Sequence, residues 1–103
     1  MIKVSVMYAN QPGKTFDMDY YLRSHMPMVK ARLGNACKGM SVDQGLGGGA
    51  PDAPAAYTAI GHILFDSVEA FQAAMAQHSA EFMADIPNYT AIEPVIQVSE
   101  VKL

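Results

Sequence analysis

Residues 57–65 read Tyr57-Thr58-Ala59-Ile60-Gly61-His62-Ile63-Leu64-Phe65. Branched and aromatic residues dominate this run, and Pro54 before it and Asp66-Ser67 after it supply the punctuation of a β-strand. Both of its faces carry apolar side chains. Ile60 and Leu64 share one face with His62; Ala59, Ile63 and Phe65 share the other with Gly61. A strand in an antiparallel sheet with one solvated face alternates cleanly between apolar and polar residues. This strand does not, so both faces of its sheet need a cover.

The neighbouring segments supply the rest of the sheet. Residues 38–46 form a weaker strand, joined to 57–65 through Gly47-Gly-Gly-Ala-Pro-Asp-Ala-Pro-Ala55, a stretch too short for an interdomain linker and read as a mobile hairpin loop. Ile2, Val4, Val6 and Tyr8 alternate with Lys3, Ser5 and Met7, which predicts a first strand ended by Gln11-Pro12-Gly13. Asp17 is positioned to cap a helix whose apolar stripe is Met18, Leu22, Met26, Val29 and Leu33, with Gly34-Asn35 as its stop. Pro27 falls inside that stripe. It lacks the N–H of a helix interior, so the pattern predicts a kink or restart, with Met26 pushed from helical geometry and Pro27 opening a second helical piece. Asp66-Ser67-Val68-Glu69 has the form of a capping box with Asp66 as cap. The helix it opens, over 67–84, aligns Val68, Phe71, Met75, His78 and Phe82, and Ile86-Pro87-Asn88 ends it. Residues 93–102 are the last strand.

The order is β-α-β-β-α-β. This is the α+β, ferredoxin-like plan: a four-stranded antiparallel sheet with both helices on one face, in a single domain covering 1–103. Val95-Ile96-Gln97-Val98 is also two-sided, and no third layer exists in the chain. The simplest cover is a second copy of the sheet, so a homodimer through the open sheet face is expected.

Composition narrows the function classes. The chain has 103 residues, half of them hydrophobic, with 7 Lys and Arg against 10 Asp and Glu, a net charge of −3. Scattered basic residues give no footprint for nucleic acid. No run reaches the roughly 18 apolar residues of a membrane span, and the N-terminal residues lack a secretory pattern. The expectation is a cytoplasmic protein with no nucleic-acid or membrane partner. Cys37 is the only cysteine, which excludes an internal disulfide. There is no dinucleotide fingerprint, phosphate loop, H-E-x-x-H or G-x-S-x-G. Gly45-Leu46-Gly47-Gly48-Gly49 reads as loop. No cofactor or metal site is expected. Eight methionines fit general core filling or an adaptable apolar ligand site.

Histidines are the side chains that titrate near neutrality. His25 lies at the edge of the first helix's stripe, one turn after Tyr21 and two residues before Pro27. It suits a pocket acid–base or a donor to a carbonyl or phenolate, and equally a cap on the broken helix; a metal or haem ligand is a third reading. His78 reads as a core histidine or a pocket hydrogen-bonder, and His62 as part of the dimer interface. Tyr20 suggests packing, and Asp85 a cap or a solvated carboxylate. Cys37 has no activating neighbour beyond Lys38. Imperfect packing beside Pro27, and the missing side chain of Gly61, predict a cavity between the sheet and the two helices. Met26, Phe71, Met75 and Phe82 would wall it, and His25 would be its convergent polar group.

Two stretches carry a family resemblance. Phe16-Asp-Met-Asp-Tyr20-Tyr21-Leu-Arg-Ser-His25-Met-Pro27 looks like the F-x-x-x-Y-Y-x-x-x-H-x-P signature of the EthD family. Asp85-Ile-Pro-Asn-Tyr89-Thr90, with Pro94-Val-Ile-Gln97-Val-Ser-Glu100, is similar to that family's terminal pattern. EthD is associated with degradation of ethyl tert-butyl ether beside an oxygenase system, and its wider superfamily is the dimeric α+β barrel. That superfamily includes cofactor-free monooxygenases, isomerases, polyketide cyclases and haem-handling enzymes, several with a pocket inside each subunit. The resemblance points to Tyr21, His25 and Pro27, and more weakly to Asp85 and Tyr89. The expected function is a cofactor-independent enzyme, oxygenase- or isomerase-like, acting on a small apolar carbonyl, lactone or phenolic compound. His25 would be its acid–base group, with Tyr21 orienting it. The alternatives are a non-catalytic binding or accessory protein for an apolar metabolite, and a haem-binding barrel.

Overall fold

The computed structural model describes residues Met1–Leu103. Four strands, β1 (Ile2–Ala9), β2 (Gly39–Gln44), β3 (Tyr57–Phe65) and β4 (Val95–Glu100), form one antiparallel sheet in the order β2-β3-β1-β4. The helical segments are α1 (Met18–Tyr20), a π-turn (Tyr21–His25), α2 (Met26–Leu33) and α3 (Val68–Asp85). Short 3-10 turns follow α2 at Gly34–Ala36 and α3 at Ile86–Asn88. This is the ferredoxin-like α+β architecture.

Register explains which side chains face the helices. Ile2 lies opposite Phe65, Val4 opposite Ile63, Val6 opposite Gly61 and Tyr8 opposite Ala59, so the helix-facing sides of β1 and β3 coincide. Along β3, Ala59, Gly61, Ile63 and Phe65 are buried, while Ile60, His62 and Leu64 on the other face are only half-buried. Ile2, Val4, Val29, Leu33, Ile63, Phe65 and Phe82 close into one apolar cluster. Each large member removes on the order of 1.5–3 kcal/mol of apolar surface from water. In β4 the two-sided pattern does not produce burial: Ile96 is 51% and Val98 42% exposed. The helices cover β1 and β3 and stop short of this edge strand.

Asp17 caps the first helix as expected, its side chain accepting the Tyr20 N–H at 3.1 Å. Gly34 ends it with φ of 54°, a backbone angle glycine adopts without penalty. The expected restart is present, since α2 begins at Met26 with Pro27 in its first turn, but Met26 is not pushed from helical geometry. Met26 keeps helical angles (φ −64°, ψ −39°), and its N–H donates to the carbonyl of Tyr21, five residues back. The widened turn gives the Pro27 ring room and accommodates its missing N–H. It also rotates the stripe. The buried side chains are Tyr21, His25, Met26, Val29 and Leu33, whereas Leu22, expected inside, is 48% exposed. At α3 the cap is Ser67 rather than Asp66: the Ser67 Oγ accepts the Ala70 N–H at 3.1 Å. Ser67 holds the extended backbone angles a cap requires (φ −157°, ψ 166°), which displaces the helix start by one residue.

Candidate active site

A cavity of about 230 Å³ lies between the sheet and both helical layers of the single chain. Val4, Val6, Ile63 and Phe65 form its floor, with Met26 and Val29 from the first helix and Phe71, Met75 and Phe82 from α3 as walls. Its opening lies between α3 and β4, where the lining residues Met83 and Ile96 are 53% and 51% exposed. Ser79 also lines it from α3. The remaining polar side chains, Tyr8, Tyr21 and His25, gather at the Gly61 end. Gly61 is needed there: any Cβ at that position would collide with the Tyr21 hydroxyl.

The π-turn sets His25 and Tyr21 side by side. Their rings stack at 5.5 Å with 13° between planes, and both residues are buried, His25 at 6% and Tyr21 at 2% exposure. Stacking is what Tyr21 contributes to the orientation of His25. The hydrogen bond that fixes the imidazole comes from Asp85, at the C-terminal end of α3, whose Oδ2 lies 2.9 Å from Nδ1. A carboxylate only accepts, so Nδ1 carries a proton toward Asp85 and Nε2 of the neutral ring is an acceptor. His25 makes no capping bond to its own helix, so the capping alternative has no contact behind it.

Asp85 is itself held from outside. Its Oδ1 accepts the Tyr20 hydroxyl at 2.7 Å and the Asn88 amide at 2.9 Å. Burial works against its charge, but these bonds and the one from His25 outweigh it and hold the carboxyl below its ordinary value. A polar groove lined by Tyr20, Ser24, Glu81 and Asp85 brings solvent to this outer side. No third histidine, cysteine or carboxylate joins the pair into a metal-ligand set.

The segment after α3 delivers a second tyrosine. Thr90 bridges to Phe16, its Oγ1 donates to the Thr15 carbonyl at 2.8 Å, and the Asp17 N–H donates to the Tyr89 carbonyl at 2.8 Å. Pinned in this way, Tyr89 packs its ring 4.7 Å from that of His25 and places its hydroxyl 3.4 Å from Nε2. The same hydroxyl lies 2.6 Å from that of Tyr8. Burial pushes the phenols of Tyr8, Tyr21 and Tyr89 above the ordinary tyrosine value, so all three stay protonated.

Of the residues singled out in the sequence, Tyr21, His25, Met26, Gly61, Phe71, Met75 and Phe82 line the cavity together. Tyr89 stands behind the wall and touches it through Tyr8 and His25. His78 is a correction: it does not reach the cavity and stacks on Phe82 at 5.9 Å on the flank of α3. The helical stripe drawn through it turns away from the cavity, and Ser79 and Met83 take the lining positions. Tyr8 is a site residue that the sequence reading does not single out, and Asp85 is reached only through the family resemblance. By periodicity Tyr8 is the last inward residue of β1, which it also is, and Asp85 is a helix-end carboxylate that only the terminal pattern marks.

The family pattern described as "EthD domain" matches residues 13–93. The chain is 53% identical to an EthD-like protein of Ralstonia eutropha JMP134, covering 99% of this chain and 92% of that one with a TM-score of 0.94. An ethyl tert-butyl ether degradation (EthD) family protein of Bacillus halodurans C-125 shares the fold at 19% identity and a TM-score of 0.67, over 99% of both chains. A protein of Arabidopsis thaliana does so at 13% and 0.71, over 100% of this chain and 97% of that one. A search of curated proteins finds no match. A family pattern that spans most of the chain, including the Tyr21–His25–Pro27 turn and Asp85–Tyr89, and a near-superimposable relative at this identity, place the protein in the EthD domain family.

Proposed function

We propose that this protein is a cofactor-independent enzyme that moves a proton on a small, mostly apolar carbonyl, lactone or phenolic compound held in the intrasubunit cavity. The observation that carries this reading is the pairing of the buried His25 with the half-buried Asp85 at 2.9 Å, with His25 set at the polar end of an otherwise apolar cavity. Burial keeps competing water from the His25 ring, and Asp85, reached by solvent only on its outer side, stabilises the imidazolium formed when His25 accepts a proton. A purely structural histidine needs no cavity beside it.

The test uses phenylacetone, a single-ring ketone with an acidic CH2, in D2O. Proton NMR should show its α-protons exchanging faster with the protein than in buffer. His25→Gln should slow that exchange on the order of 10²–10⁴-fold with little change in melting temperature. Wild-type protein that binds phenylacetone and leaves its α-protons untouched would favour the binding or accessory role.

The free sheet face supports a second part of the proposal, assembly as a homodimer. Met7, Ile60, Leu64 and Val95 lie on the face no helix covers, around a polar line in which His62 joins Ser5 at 2.9 Å and Asp43 at 3.0 Å. A second copy laid on this face would bury the apolar residues; a stable interface needs about 1,200 Å² or more in total. Light scattering should give twice the 11.1 kDa chain mass. A monomer mass at micromolar concentration would reject it.

A further inference from the structure

Both ring nitrogens of His25 are engaged, Nδ1 by Asp85 and Nε2 by the Tyr89 hydroxyl. Imidazole has no other atom that takes or gives a proton. Although His25 lines the cavity, its exchange with a ligand therefore has to pass through a neighbour. Tyr89 does not reach the cavity; Tyr8, whose hydroxyl is 2.6 Å from that of Tyr89, does. On the same wall the Tyr21 hydroxyl makes no hydrogen bond within the chain. No side-chain polar atom sealed inside the molecule lacks a partner, so this oxygen opens on accessible space, and the space beside it is the cavity.

We propose that Tyr8 is the group that exchanges a proton with the ligand, through a Tyr8–Tyr89–His25 relay backed by Asp85, and that Tyr21 hydrogen-bonds the ligand oxygen on which charge develops. The ligand class is an enolisable carbonyl compound of single-ring size. This rests on the proton-transfer reading above and deepens it.

The hydrogen bonds have one consistent direction. Nδ1–H donates to Asp85, Nε2 accepts the Tyr89 O–H, and the Tyr89 oxygen accepts the Tyr8 O–H. That direction leaves a lone pair free on the oxygen of Tyr8, a residue that lines the cavity. When a C–H bond next to the carbonyl breaks, its proton joins the Tyr8 oxygen. The Tyr8 proton passes to Tyr89, and the Tyr89 proton to Nε2. The electron pair of the C–H bond moves to the carbonyl oxygen, and the enolate oxygen accepts the Tyr21 O–H. Return of the proton restores the carbonyl at the same carbon or a conjugated one. No electrons are gained or lost overall, and no co-reactant is consumed. Because burial disfavours a free tyrosinate at either phenol, the protons move together. The 3.4 Å contact between Tyr89 and His25 is the long link, of the kind that tightens when substrate fills the site. The cavity, about 230 Å³ or roughly eight liquid waters in volume, matches one ring with a short chain.

The experiment measures phenylacetone exchange in D2O at saturation, and its dissociation constant by NMR titration, for the full chain and for Tyr8→Phe, Tyr89→Phe, Tyr21→Phe and His25→Gln. Tyr8→Phe and Tyr89→Phe should each lower the exchange rate about 10²-fold or more, with affinity within about twofold of wild type. Tyr21→Phe should lower the rate on the order of 10²–10³-fold through loss of the oxyanion donor. Tyr89→Phe is the decisive variant, because it interrupts the relay without altering the cavity wall and serves even if Tyr8→Phe does not fold. Exchange at the wild-type rate in Tyr89→Phe, with His25→Gln inactive, would overturn the relay and leave His25 acting directly. Wild-type protein that binds the ketone without exchanging its protons would overturn the proton-transfer reading and the relay together.

Discussion

The interface between sheet and helices has two unlike ends. At one, Ile2, Val4, Val29, Leu33, Ile63, Phe65 and Phe82 meet as hydrocarbon against hydrocarbon. At the other, Tyr8, Tyr21 and Tyr89 pack with Met26, Ala59 and Ile92, and His25 stands among them. Strands β1 and β3 and the first helical segment contribute to both, while α3 adds Phe82 to one and the segment after it adds Tyr89 and Ile92 to the other. The difference is in what burial demands. An aliphatic side chain needs only volume, so its end tolerates many arrangements of similar size. A buried hydroxyl or imidazole needs a partner at hydrogen-bond distance, and here the Tyr8, Tyr89 and His25 polar atoms each have one while Tyr21 has none. One end holds the fold together, and the other spends part of its packing on an ordered polar chain with a single free donor facing a cavity.

The strongest way to break the comparison is to truncate each end. Phe65 is the more deeply buried of the two phenylalanines in the hydrocarbon cluster. Phe65→Ala should cost about 3–5 kcal/mol in chemical denaturation. Tyr89→Phe at the other end keeps the ring but leaves the buried Tyr8 hydroxyl and His25 Nε2 without their partner, so it should cost about 1–3 kcal/mol. Equal losses would mean that the polar chain carries the fold as much as the aliphatic cluster does.

The two ends also differ in how far the sequence shows them. Period-two strands and spacing of three or four place Val4, Val29, Leu33 and Phe82 inside, because an apolar stripe is a local property. Ile63 instead sits on one of two apolar faces, and its register opposite Val4 decides which one the helices cover. The polar end depends on features a periodic reading cannot carry. Pro27 signals a disturbance, yet whether the chain kinks or takes an extra residue into one turn depends on tertiary packing. That choice turns Leu22 outward and Tyr21 inward. Asp85 and His25 are 60 residues apart, and Tyr8 and Tyr89 are 81 apart. No spacing rule links them; their meeting is set by the sheet register and by the bridge from Phe16 to Thr90. His78 shows the converse error, since membership of an apolar stripe on α3 did not bring it to the cavity.

Gly61 lies where the two ends meet. A methyl group there would strike the Tyr21 hydroxyl, and the stacked His25 ring limits where Tyr21 can go. Gly61→Ala should destabilise by about 1–3 kcal/mol, the usual range for overpacking. It should also weaken phenylacetone binding, because the displaced ring moves toward the cavity. Unchanged affinity with lowered stability would show that Tyr21 does not define the ligand's position.

Asp85 sharpens the electrostatic side of the contrast. Its folded value is lowered below the ordinary 3.8, so its contribution is fully present above that pH and is lost as pH falls through the lowered folded value. Stability of the wild type should therefore decline below about pH 4, and Asp85→Asn should flatten that part of the curve. At pH 7 the substitution should cost on the order of 1 kcal/mol, since the amide keeps one acceptor for Tyr20 but loses the charge opposite His25. An acid limb of the same slope in both proteins would remove Asp85 from the account.

The smallest expected effect lies just outside the polar end, in the hairpin loop between β2 and β3. Residues 47–55 continue from strand ends that pair Gln44 with Ala59, beside Tyr8. Within the loop the backbone bonds are Gly48 N–H to the Ala53 carbonyl at 2.8 Å and Ala53 N–H to the Ala50 carbonyl at 3.1 Å. Leu46, its large apolar side chain, is 97% exposed and anchors nothing. Three consecutive glycines raise the entropy cost of ordering the segment, and only the small side chains of Ala53 and Ala55 are half-buried to offset it. Hydrogen exchange should therefore be fastest here among internal segments, while the amides of β1 and β3 around Tyr8 and Ala59 stay protected. Deleting Gly47–Gly49 should change stability by less than about 0.5 kcal/mol, because loop closure depends only weakly on length. Strong protection in the loop, or a loss well beyond that figure, would mean that the polar end is covered by the loop as well as by its own helices, and the cavity would then have a second wall to account for.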